Sequence, residues 1–369
     1  YGIDQLIAQG LTGKGQTVVD IVSYGSPTLP QDVAAFSERY GLPPAVIDEQ
    51  YPLGPVSFDV SNAEMVSWQA ETELDVEVIH AVAPAAKIVV LASSADATEG
   101  LVGLPEFRKL EQYAFDNHLG AIVSQSWDFS EYTLRDAAGR AERQAWDAFF
   151  QATTRQGVTY LAASGDFGAT DVLAFDPHQL VPARTVAFPS DDPWVTSVGG
   201  TMVETDGTQF REVSWPASGG GFSAFNAMPA YQQGVTATLP APFSGKRGVP
   251  DVAGNAYSKT QLIFNIAGKW QPVGGTSASA PLWAALIAIA NQMAGCNLGF
   301  INPALYQIGL SDKAAHDFHD ITVGNNNADA NGVAVQGFNA GPGWDAVTGW
   351  GSPNAPSLLP DLIAAIPAT

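Results

Sequence analysis

Five short runs rich in β-branched residues constrain the fold most: TVVDIVSYG (17–25), KIVVLAS (87–93), AIVSQSW (121–127), VTYLAASGD (158–166) and WVTSVGGT (194–201). Apolar runs of this length read as strands buried on both faces. Between them lie stretches such as LPEFRKLEQYAFDNH and GRAERQAWDAFFQATTRQG, long enough for crossover helices. The alternation predicts an α/β architecture, a largely parallel central sheet with helices on both faces. Glycine and proline are scattered rather than pooled and no repeat is visible, so residues 1–369 are expected to form a single domain. Ligands of such sheets sit beyond the carboxyl ends of the strands, which makes Trp127 and Asp166 site candidates on topology alone.

The charge balance narrows the function classes. With 37 acidic residues against 16 Lys plus Arg, the net charge is −21, which repels nucleic acid and suits an acidic medium. Apolar stretches are too short or interrupted to cross a bilayer, so no membrane partner is expected. The chain opens at Tyr1 without a charged, hydrophobic leader and reads as a processed form. Cys296 is the only cysteine, which rules out an internal disulfide and a cysteine metal cluster.

Chemistry concentrates in two segments. Residues 274–283 read GGTSASAPLW and lead into the apolar run LWAALIAIANQ, a buried helix expected to be entered through Pro281. Ser277 there has glycines that admit a substrate backbone and a helix N-terminus whose free N–H groups suit an oxyanion. The second segment, SWQAETELDVEVIHAVAP (67–84), has helical periodicity and should stop before Pro84. On a helical wheel Glu71 and Asp75 fall within the stripe of Leu74, Val78, Val82 and Ile79, at roughly 60° and 100° from Leu74. Glu73, Glu77 and His80 cluster on the opposite side, where Glu73 and Glu77 are expected in solvent and His80 at the surface or in packing. Two inward carboxylates are costly unless used, and a close pair raises at least one pKa, as acid/base groups require. A histidine-based triad through His80 is disfavoured because that ring projects away from the stripe. His118, His178, His316 and His319 have no comparable setting and are expected at the surface or in packing.

Together with Ser277, the Glu71/Asp75 helix and AASGD ending at Asp166, further segments occur in a family-like order. They are SYGSPT (23–28), VTSVGGT (195–201), SGGGFSAF (218–225), RGVPDVA (247–253), INPALY (301–306), HDITVG (319–324) and GWDAVTGWGSP (343–353). The chain resembles the sedolisins, serine-carboxyl peptidases similar to subtilisin in fold. That resemblance implies Ser277 as nucleophile, Glu71 as general base, Asp75 as its orienting partner and Asp166 as oxyanion donor beside the Ser277 N–H. Asp166 can donate only when protonated, and a carboxylate base keeps its basicity where histidine is protonated, so acid operation follows. Trp127 matches a family tryptophan near the active site and is expected either to position the substrate strand or to be a core aromatic. Asp128 stands where glycine is expected, which alters a subsite. Gly274 gives GGTS in place of SGTS, implying changed hydrogen bonding around the nucleophile. Ser23 stands where relatives carry an acid, which puts an extended proton network there in doubt.

The run NADANG (327–332) starts like a calcium-binding EF-hand loop but fails, with asparagine first and Phe338 at the twelfth position. The resemblance implies instead one Ca²⁺ site, within about residues 316–350, made by Asp320, the Ile321 carbonyl, the Gly341 and Gly343 carbonyls and Asp345, hard oxygen ligands that suit this ion. It further implies peptide or protein substrates, a prosegment removed on maturation and absent from this chain, secretion into an acidic environment, and a monomer. Two alternatives stand beside the endopeptidase: a tripeptidyl aminopeptidase of the same family, and a non-enzymatic calcium-binding protein on a decayed peptidase fold.

Overall fold

The computed structural model describes residues 1–96, 100–173, 178–205, 210–237, 245–260 and 263–367. Its centre is an eight-stranded sheet of β1 (Thr17–Ser23), β2 (Val46–Gln50), β3 (Lys87–Ser93), β4 (Ile122–Gln125), β5 (Thr159–Ala163), β6 (Thr196–Thr205), β7 (Phe210–Ser214) and β8 (Val252–Asn255). The order is β8-β6-β5-β4-β1-β3-β2, all parallel, with β7 added antiparallel to β6. All five β-branched runs supply strands, so the expected parallel α/β sheet is the one that forms.

Alternation along each strand divides the core in two. Val18 and Val22 of β1, Ile88 and Val90 of β3 and Leu161 of β5 face one side, where they meet α2 (Ala63–Val82) and α5 (Thr276–Ala294). Val19, Ile21, Val89, Leu91 and Tyr160 face the other, packing on Leu104 and Phe107 of α3 (Gly103–Asp116) and Trp146 and Phe150 of α4 (Ala137–Thr154). Burial on both faces explains why the strands are apolar throughout. The chain leaves β1 toward β3 on one side and β4 on the other, opening a crevice at the strand ends where residues 125–128 and 164–166 emerge.

The wheel reading of α2 requires correction. Glu73 and Glu77, expected in solvent, are fully buried, and so is His80. The cause is a third layer on that side: α1 (Leu29–Tyr40) and a hairpin of Ile263–Ile266 with Lys269–Pro272. Glu77 Oε2 accepts from the Asn265 N–H at 3.0 Å, Glu73 Oε2 from the Ala267 N–H at 3.0 Å, and Asp32 Oδ1 from the Gly268 N–H at 2.9 Å. Glu73 Oε1 also accepts from Ser26 Oγ at 2.5 Å and Thr28 Oγ1 at 2.9 Å. His80 Nε2 lies 3.1 Å from Ser37 Oγ and 2.9 Å from the Pro43 carbonyl oxygen, in a packing role. The other four histidines are exposed.

Candidate active site

Two helices and two strand ends build the site. α5 starts at Thr276, ahead of Pro281, which lies inside the helix, so the expected entry through Pro281 is wrong. The start is fixed from elsewhere in the chain: the Thr276 N–H and Oγ1 both donate to Asp166 Oδ1 at 2.8 Å, capping α5 with a carboxylate that follows β5. Gly275 precedes it at φ 138°, and a Cβ there would collide with the Asp166 carboxyl. Gly274 is packed against the backbone of Ala256 and Ser258, so a serine side chain has no room at the departure from SGTS. Ser277 therefore sits in the first helical turn, half-exposed, with an N–H that has no acceptor within the helix.

Pro281 lacks the N–H that would bond the Ser277 carbonyl. That carbonyl instead lies 3.2 Å from Ser126 Oγ, which also donates to Asp75 Oδ1 at 2.7 Å. Ser126, immediately after β4, thus ties the nucleophile's helix to the carboxylate helix. Sequence reading passed over it in favour of the neighbouring tryptophan. Trp127 itself is buried among Phe107, Phe129 and Trp146, with ring centroids 4.8, 6.2 and 5.7 Å away. Of its two expected roles, core aromatic is the one its surroundings support.

Glu71 and Asp75, one turn apart on α2, both face the site. Burial pushes Glu71 up to about 8, helped by the Asp166, Asp20 and Asp128 charges and opposed by hydrogen bonding with the Ser277 side chain. Asp75 is pushed well above the usual range by burial and then by Asp20 and Glu71. The two titrate together. Burial also raises Asp166, against the lowering effect of its two bonds from Thr276. Asp128 is raised to about 7 by burial and by Asp166 beside it. Ser277, Glu71, Asp75 and Asp166 are thus brought together, whereas His80 faces the third layer. Such a group contains a half-exposed hydroxyl, a carboxyl group that can take its proton when ionised, and a carboxyl group that can donate while protonated.

The residues expected to hold a metal lie far along the chain. Asp320 Oδ2 accepts from the Gly343 N–H at 2.9 Å, and Asp345 Oδ2 from the Gly341 N–H at 3.0 Å, so the Gly341–Gly343 turn joins the two carboxylates. Asp345 is buried, and burial raises it to about 7 despite further N–H donors from Val347 and Thr348. The groups that meet the two carboxylates are hydrogen-bond donors: the N–H groups of Gly341, Val347 and Thr348 and the Thr348 hydroxyl for Asp345, and the Gly343 N–H for Asp320. Among the described residues no three His, Cys, Asp or Glu side chains converge, so an ion here would need main-chain carbonyls to complete its ligands.

No family model matches the chain. Over 371 aligned residues, 96% of this chain and 61% of the relative, it is 36% identical to kumamolisin of Bacillus sp. (strain MN-32). It therefore spans less than two thirds of that relative's length. Tripeptidyl-peptidase 1 of Homo sapiens is 36% identical over 225 residues, 56% of this chain and 38% of the relative. Among solved structures, Pseudomonas sedolisin, a serine-carboxyl proteinase complexed with two molecules of pseudo-iodotyrostatin, superposes with a TM-score of 0.77 at 27% identity, covering 96% of this chain and 94% of that one. Likeness along nearly the whole chain, in sequence and in fold alike, places this protein in the sedolisin family of serine-carboxyl peptidases, on its kumamolisin-like side.

Proposed function

We propose that the chain is an acid-acting endopeptidase that cleaves peptide bonds through an acyl-enzyme on Ser277. The observation that carries the reading is the meeting of a first-turn serine on α5 with a half-buried glutamate on α2, with no histidine facing them. Glu71 takes the Ser277 proton as the hydroxyl oxygen bonds to the substrate carbonyl carbon. The oxyanion forms beside the Ser277 N–H and the protonated Asp166, which needs acid to stay a donor. Glu71 then returns its proton to the leaving amine, and water releases the acyl group in a second cycle. Asp75 holds Glu71 in orientation and shares its proton network.

A fluorophosphonate or peptide-aldehyde probe at pH 4 tests this directly. Ser277 should be labelled in the parent and spared in Glu71→Gln; equal labelling in both would remove Glu71 from the base role. Failure to label Ser277 in the parent favours the decayed, non-enzymatic alternative. The similarity to tripeptidyl-peptidase 1 supports a second reading, release of tripeptides from free N-termini. A substrate with a blocked N-terminus separates the two, since only an endopeptidase cleaves it.

One calcium ion held by Asp320, Asp345 and the carbonyls of Ile321, Gly341 and Gly343 belongs to the same proposal. It would neutralise Asp345 and brace the loop that packs Trp344 into the core. No described helix is long and apolar enough to cross a membrane. The acid surface and the acid chemistry both support action in an acidic medium; secretion as a monomer after removal of a prosegment belongs to the same proposal.

A further inference from the structure

β1 carries a single charged residue, Asp20, in an otherwise apolar strand. Alternation sets it on the same face as Val18 and Val22, under α2 and α5, where it is fully buried. Neither oxygen of Asp20, nor Asp75 Oδ2, nor Glu71 Oε1 meets a nitrogen or hydroxyl donor. The Asp20 and Asp75 carboxyls lie within hydrogen-bonding reach of each other. The charges acting most strongly on this column are one another, Asp166 after β5 and Asp128 after β4; the neighbouring Ser126 and Ser277 supply only hydroxyls. Carboxylates so placed, without a cation, hold protons between them. At the doubtful network position the Ser23 hydroxyl donates to the Ala95 carbonyl at 3.0 Å.

We propose that Asp20 is a positioning residue of the peptidase, a third carboxyl group behind the Glu71/Asp75 pair that shares a proton with Asp75 and so keeps the pair's negative charge at Glu71. The inference rests on the acid-serine reading above. In the ground state the column holds two protons and one negative charge, the charge on Glu71. Taking the Ser277 proton fills the column and leaves it neutral while the new C–O bond forms and the negative charge moves to the substrate oxygen. Without Asp20 the remaining pair loses a protonated carboxyl that donates toward it and stabilises its singly charged form, so its apparent pKa rises.

The test is the pH dependence of kcat/KM for Asp20→Asn and Asp20→Val, the second suited to a buried strand position should the first fold poorly. The limb that rises with pH should move toward neutral pH by about one pH unit or more in Asp20→Val and by less in Asp20→Asn, whose amide can still donate, with Ser277 still labelled by the fluorophosphonate. A packing role alone would lower activity or stability without moving that limb. Folded variants whose profiles superimpose on the parent's would overturn the inference. Glu71→Gln run alongside keeps the two levels apart: if it retains full activity the acid-serine reading itself falls, and if it is inactive while the Asp20 variants match the parent, only the role of Asp20 falls.

Discussion

Raising the pH from 4 to 8 should destabilise this protein at its third layer, and Glu77 gives the clearest handle. Its Oε2 accepts one backbone N–H from Asn265, its Oε1 meets no donor, and burial with the Glu73 and Asp32 charges holds it up to about 9. A folded-state pKa raised above the unfolded value of 4.5 means that its stabilising effect is complete below pH 4.5 and is lost as pH climbs toward 9. At pH 8 the loss is bounded at about 5 kcal/mol, from about 1.36 kcal/mol per pH unit over some 3.5 units. A chain of 369 residues has an unfolding entropy of about 0.8 kcal/mol/K, so this corresponds to about 6 °C in Tm. Glu77→Gln keeps the acceptor for Asn265 and replaces the protonated oxygen with an amide. In a Ser277→Ala background, which prevents self-digestion, thermal unfolding followed by tryptophan fluorescence should give similar Tm values for the two proteins at pH 4. At pH 8 the Gln variant should melt up to about 6 °C higher. Parallel Tm-versus-pH curves would show that Glu77 is already ionised in the folded state at pH 8 and would refute the reasoning.

Three further outcomes follow from the geometry. His80→Ala should leave kcat/KM at acid pH unchanged while lowering stability to denaturant by about 2–4 kcal/mol, because it empties a buried site and strands the Ser37 and Pro43 groups. Gly275→Ala should lower kcat/KM by about a hundredfold or more, since the added Cβ needs an unfavourable φ and the space of the Asp166 carboxyl; circular dichroism would verify that the fold persists. Chelation at pH 7 should lower Tm and added calcium restore it, whereas Asp345→Asn should blunt the response. At pH 4 the same calcium should stabilise less, because Asp345, raised to about 7 without metal, is then protonated and competes with the ion.

The sheet was legible because its signal is local. Five runs of β-branched residues marked β1, β3, β4, β5 and β6, while β2, VIDEQ, is half polar at the sheet edge, and β8, VAGN, is too small to stand out. The helix bearing Glu71 and Asp75 was readable from its periodicity and from Pro84, and it ends at Val82. Ser277 was readable from its glycines, but the helix start was not, because its cap is the side chain of Asp166 from 110 residues earlier. Asp20 left one clue, a lone acid in an apolar strand, which gains meaning only from the helix laid over it.

Sequence alone determined the strand runs, the helix of paired acids, the glycine-flanked serine and the family order of motifs, because each is a pattern within a few turns or one strand. Tertiary structure decided which faces are inside. A helix wheel assumes one buried side, and the hairpin that covers Glu77 arrives from 188 residues away. It also decided the charge states, since desolvation and neighbouring carboxylates, rather than residue type, keep protons on acids that ordinarily lose them.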